Sequence, residues 1–167
     1  MNKSILISAF IVSFALMSSA SLAQPTANFS GTWAFDTTKS DRGPGGYFLQ
    51  ADQVLRITQN PASITFAKTV PISSGNFTST DKYFFDGKTR TQKKDYGTDK
   101  ISLQWSADKK VLTITTITTA ETKNGPDDFL IAESWKLSDD GRALINESYS
   151  QSKQLGKTTI VSLYKKK

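Results

Sequence analysis

From Phe29 to Tyr164 no stretch of this chain sustains a helical period. It is written instead in short alternating or β-branched runs, broken by turn residues at a spacing of roughly 8 to 12, the rhythm of an all-β sandwich or barrel. The runs fall at 29–36, 54–58, 64–70, 83–85, 89–94, 101–105, 111–119, 129–137, 144–150 and 158–164. Asn60-Pro61, Asp86-Gly87, Asn124-Gly125-Pro126 and Asp139-Asp140-Gly141 punctuate them, and Asp86-Gly87 is the pattern of a tight hairpin. A meander of this kind escapes the hazard of exposed strand edges by closing on itself.

Residues 1–23 read as a leader. Lys3 supplies the positive start, an apolar run follows, and Ser21-Leu22-Ala23 fits a small-x-small cleavage pattern. The run is short for the ~20 residues of a membrane span. The expectation is export to the periplasm or beyond, cleavage after Ala23, and one domain over residues 24–167 with no stable membrane span.

Neither cysteine nor histidine occurs anywhere in the 167 residues. Thiol chemistry, disulfides, histidine general bases and imidazole metal ligands are therefore all excluded. Asp127-Asp128 and Asp139-Asp140-Gly141 lack the alternating oxygen ligands of a calcium loop, so no metal and no cofactor is expected. The formal charge is +6, carried mostly by scattered lysines. Such dispersal describes a solvated surface rather than a nucleic-acid interface, which needs a basic patch interleaved with aromatics.

Behind the leader, Phe29, Gly31, Trp33 and Phe35 alternate with Ser30, Thr32, Ala34 and Asp36. Asn28-Phe29-Ser30-Gly31-Thr32-Trp33, then Lys39-Ser40, and late in the chain Trp135-Lys136-Leu137-Ser138-Asp139-Asp140-Gly141-Arg142 complete a pattern. It resembles small bacterial exported proteins with a lipocalin-like barrel of the calycin superfamily. The resemblance implies a single antiparallel up-and-down β-barrel of about 8–10 strands. In that fold Gly31 bends the first strand and Trp33 plugs the closed end. Lipocalins pack a late arginine on that tryptophan; no arginine follows Arg142 here, so Lys165 would have to serve. A ten-stranded barrel like the fatty-acid-binding proteins, or a half-open sheet, is the other arrangement.

Glu133 breaks its own pattern. It shares a strand face with Phe129, Ile131, Trp135 and Leu137, which places a carboxylate inside the barrel or at its rim unless a bulge turns it out. Arg56, between Leu55 and Ile57, is a candidate for a ligand carboxylate through its planar fork. Tyr83, Phe85 and Trp105 supply further aromatic surface, either as cavity lining or as solid core. Glu133 with Glu147 is the one carboxylate pair on neighbouring strands that general acid–base chemistry could use.

These residues point to an exported binding module that holds a small apolar or amphipathic molecule, without catalysis. The alternative is a barrel with a filled core whose outer face or mouth contacts an envelope protein.

Overall fold

The computed structural model describes residues 26–41, 52–123, 125–154 and 156–167. Residues 1–23, expected to be a leader, and residues 42–46 of the glycine-rich stretch after the first strand lie outside them. Ten strands form one antiparallel sheet: β1 (Gly31–Phe35), β2 (Val54–Gln59), β3 (Ser63–Ile72), β4 (Gly75–Phe84), β5 (Arg90–Lys94), β6 (Gly97–Trp105), β7 (Leu112–Thr122), β8 (Gly125–Leu137), β9 (Ala143–Ser152) and β10 (Gly156–Lys166). Every sequential neighbour pairs with the next except at one place, and β1 also pairs with β10, so the meander is joined through its first and last strands. No helix among the described residues is long and apolar enough to cross a membrane.

The exception lies between β4 and β5. Asp86-Gly87 was expected to make a hairpin, yet β4 bonds only β3 and β5 only β6, and the two are the edges of the sheet. The Asp86 carboxylate explains the departure. It accepts from Lys88 N and grips the Arg90 guanidinium at 2.7 Å, so the link from 85 to 89 curls on itself instead of setting two strands in register. Both edges carry polar and charged side chains, Asp81, Lys82, Lys93 and Lys94 among them, which discourages pairing with another chain.

Register is unbroken along every strand pair, with no bulge, so the period of two can be followed from β1 to β10. Trp33, Leu55, Ile57, Ile64, Phe66, Leu112, Ile114, Trp135, Leu144 and Tyr164 all face inward and form the core. The Phe66 and Trp135 rings, from β3 and β8, meet at 5.0 Å between centroids. Strands far apart in the sheet thus touch through the interior, which rolls the sheet into a barrel.

One end is closed by the chain segment that precedes β1. Phe29 is fully buried and stacks on Trp105 at 5.7 Å. Gln59 holds the strap in place, donating from Nε2 to the Ala27 carbonyl and accepting at Oε1 from Phe29 N. Ala27 N donates to the Lys109 carbonyl on the far side. β1 is shorter than the run from 29 to 36 suggested, because Phe29 is a plug and not a strand residue. Gly31, at φ 148°, allows the turn from strap to strand.

Candidate functional site

Inside the barrel the apolar core occupies only the half next to the strap. Phe66, Tyr83, Trp135 and Tyr164 make an aromatic layer at mid-height, joined by ring contacts of 5.0 to 6.1 Å. Beyond it, toward the β7–β8 and β9–β10 turns, inward positions keep accessible surface. Phe129, Ile131 and Glu133 on β8, Thr116 on β7, Ser148 on β9 and Ile160 on β10 are half-buried. These side chains face inward and keep accessible surface.

Glu133 stands directly above the aromatic layer. Its cross-strand partners are Ile114 and Ser148, both inward. Burial pushes its carboxyl up from the ordinary range; the Lys68 ammonium acts against this and the Asp81 carboxylate with it. The group is thus surrounded by protein and yet retains accessible surface, as a residue lining a concavity does. Among the described residues it makes no hydrogen bond and no ion pair. The Tyr83 and Tyr164 hydroxyls are pushed up as well, chiefly by burial. The Glu133 charge adds to both, so all three groups converge on one region.

Two donors beside Glu133 are left over. Trp135 Nε1 and Asn146 Nδ2 are buried without a partner among the described residues, in side chains of residues 6% and 5% exposed that sit directly opposite each other on β8 and β9. A buried donor without a partner costs about 1–3 kcal/mol, which is a reason for such groups to take a ligand or ordered water.

The residues singled out from sequence fall into three places. Glu133, Trp135, Ile131, Phe129 and Tyr83 come together around the open interior. Phe85 and Trp105 pack on each other at 5.7 Å in the closed end and border a shallow groove outside the strap with Asn28, Gln59 and Lys109, away from Glu133. Arg56 is on the outer face, because Leu55 and Ile57 take the inward positions on either side, and it is exposed. It therefore cannot hold the head of a ligand inside the barrel. Glu147 also points out, opposite Ser134 and Val161, so the pair it was to form with Glu133 is separated by the sheet itself. The cation over Trp33 is Lys166, its cross-strand partner, at 5.7 Å from the ring. Lys165 points the other way and binds Asp36 Oδ2 at 2.9 Å.

Sequence reasoning missed Lys68, Asp81 and Asn146. Lys68 takes an inward place between Phe66 and Val70 on β3, Asp81 lies on an edge strand without apolar alternation, and Asn146 was not singled out as a site residue within the run 144–150. The signal that could have found Asn146 is its place two residues from Leu144, on the inward face.

No protein-family model matches the chain, and no curated protein resembles it significantly in sequence. Among solved structures, the zebrafish ileal bile acid-binding protein in complex with cholic acid superposes with a TM-score of 0.56 at 19% identity, over 83% of this chain and 98% of that one. The fold is thus a calycin-type barrel, as the opening strand and the strand rhythm implied.

Proposed function

We propose that this chain is an exported binding module that holds a small apolar or amphipathic molecule in the open half of its barrel. The observation that carries the reading is the set of inward residues, Phe129, Ile131, Glu133 and Ile160 among them, that retain accessible surface above a tightly packed aromatic layer. Concave, largely apolar spaces with a few convergent polar groups are where small ligands bind. The similar zebrafish barrel, crystallised with cholic acid, adds support from a fold shared at low identity. Export rests on the leader alone, and absence of catalysis on the missing histidine and cysteine and on the separation of Glu133 from Glu147.

Native mass spectrometry of protein isolated from its own host tests the reading. A co-purified small molecule that is released on unfolding is the expected result. A bare polypeptide mass, together with no uptake of any amphiphile in solution, would refute it.

One observation favours a second reading, contact with an envelope protein through the barrel mouth. Ile72 and Phe77, at the tip of the β3–β4 hairpin, are 45% and 56% exposed. Single exposed apolar residues are common on soluble proteins, so this reading stays second.

A further inference from the structure

Polar side chains face the interior from several strands, Lys68 and Asp81 on β3 and β4 and Asp99, Thr116 and Thr118 on β6 and β7, and a contiguous group of them lies on β8, β9 and β10. Following the register, the inward positions of β8, β9 and β10 place Glu133 beside Ser148 and Ser148 beside Ile160. One step nearer the mouth, Ile131, Ser150 and Thr158 lie side by side; one step nearer the floor come Trp135, Asn146 and Ser162. This contiguous patch carries four hydroxyls, an amide, a carboxyl and an indole N–H. None of Ser148, Ser150, Thr158 and Ser162 makes a side-chain hydrogen bond among the described residues. At the base of the patch, the Asn146 and Trp135 donors are buried and, among the described residues, unpartnered. On the outer face Thr69 bonds Thr78 and Thr113 bonds Ser134, and on the inward face, across from Phe129, Thr118 bonds Asp99.

We infer that the β8–β9–β10 wall recognises an uncharged, hydroxylated amphiphile, one of whose hydroxyls lies against Asn146, Trp135 and Glu133. The inference rests on the binding-module reading and gives that site its ligand chemistry. A hydroxyl is both donor and acceptor. It can accept from Asn146 Nδ2 or Trp135 Nε1 and donate to the Glu133 carboxylate in a single placement. A ligand carboxylate accepts but cannot donate. It would also meet Glu133 and Asp81, with Lys68 as the cation that acts on the same site, and Arg56 is on the outside. An ammonium head could pair with Glu133, but it would leave both buried N–H groups without an acceptor. Ile131, Phe129 and Ile160 provide the apolar surface for the remainder of the molecule. A site built to hydrogen-bond a hydroxyl discriminates strongly against an analogue that lacks it, since its polar groups are then left unpaired.

Three probes with the same ten-carbon chain separate these cases: 1-monodecanoylglycerol, decanoate and decyltrimethylammonium, each titrated calorimetrically below its micelle concentration. The monoacylglycerol is expected to bind at least about tenfold more tightly than either ion. Asn146→Leu and Glu133→Gln, both near in volume to the native residue, should each weaken it about tenfold and bring it level with the ions. Thermal unfolding of each variant establishes that the barrel is intact. Should either variant unfold, Ser148→Ala and Ser150→Ala together serve in its place, with a loss of about threefold or more expected. Decanoate binding as tightly as the monoacylglycerol, or intact variants with unchanged preference, would overturn the inference and leave the binding module standing. Failure of all three probes to bind would remove the module and the inference with it.

Discussion

Trp33 Nε1 donates to the Phe29 carbonyl 2.9 Å away, so the first strand is fastened to the strap that precedes it as well as to its neighbours in the sheet. Trp33 is 1% exposed, Phe29 not at all, and Phe29 in turn stacks on Trp105. Closure of this end depends on the chain of contacts from Trp33 through Phe29 to Trp105. Trp33→Ala is expected to cost about 3–5 kcal/mol through lost transfer energy and the cavity left behind. Trp33→Phe, which keeps most of the apolar volume and loses the hydrogen bond, should cost about 1–3 kcal/mol. Urea midpoints at constant slope measure both, and an unchanged midpoint for the alanine variant would mean the plug does not exist.

A second tie, on the outer rim, depends on pH. The Asp36 carboxylate is held down at about 2, first by the Thr38 hydroxyl, then by Lys165, with the Thr38 amide helping and burial opposing. A carboxylate depressed in the folded state stabilises it fully above the unfolded value near 4 and loses that contribution as pH falls through about 2. The gap in denaturation midpoint between the native protein and Asp36→Asn should therefore be constant above pH 5 and close between pH 4 and 2. The Lys165 share is solvent-exposed and should shrink in high salt, while the Thr38 share should not. A gap that persists unchanged at pH 2 would contradict the assignment.

The sequence was informative where one face of a strand is dry. The runs at 54–58, 64–70, 111–119 and 129–137 became β2, β3, β7 and β8 with ends displaced by a few residues, because they set an apolar face against a core or, at 111–119, are β-branched. Glu133 was legible for the same reason, as a charge in an apolar register that no bulge interrupts. β4 was legible only at its last residues. From Gly75 to Lys82 it is an edge strand with solvent on both faces, and nothing in its side chains has to alternate. The gap between β4 and β5 was hidden too, since Asp86-Gly87 reads as a hairpin until the Asp86–Arg90 pair is seen. Arg56 failed as a ligand contact for a reason the sequence did contain, namely its position between Leu55 and Ile57. The hydroxyl wall could not have been anticipated, because Ser148 and Ser162 become neighbours of Glu133 and Asn146 only once three strands are in register.

Gly97 marks a close approach that tolerates no side chain. It opens β6 at φ 151°, and a Cβ there would run into the Thr119 carbonyl on β7. The obstacle is backbone and cannot rotate away. Gly75, at φ 128° on the outer hairpin, has open space around the same position. Gly97→Ala should lower stability by about 1–3 kcal/mol through overpacking, and more than Gly75→Ala does. Equal thermal midpoints for the two variants would argue that β6 and β7 are farther apart than described.

Processing gives a test independent of the barrel. If Lys3, the apolar run and Ser21-Leu22-Ala23 form the proposed leader, the chain from the exported fraction should begin at Gln24. Intact mass of the protein from the exported fraction should correspond to residues 24–167. A full-length species held in the membrane would show that residues 1–23 serve as an anchor.

Ligand uptake should follow the geometry of the open half and ignore the outer face. Trp135 sits in the aromatic floor against Phe66 and Tyr164, so its fluorescence should respond when the space above is filled. Each methylene taken from water contributes about 0.8 kcal/mol. Affinity in a series of monoacylglycerols should therefore rise about fourfold per carbon and then level off once the tail reaches the mouth. Arg56→Gln should leave the whole series unchanged, because that side chain projects from the outer face of β2. Ile131→Lys, which places a charge on the inward wall between Thr116 and Ser150, should abolish it while the thermal transition remains cooperative. A loss of affinity in Arg56→Gln, or an Ile131→Lys variant that binds normally, would place the ligand outside the barrel.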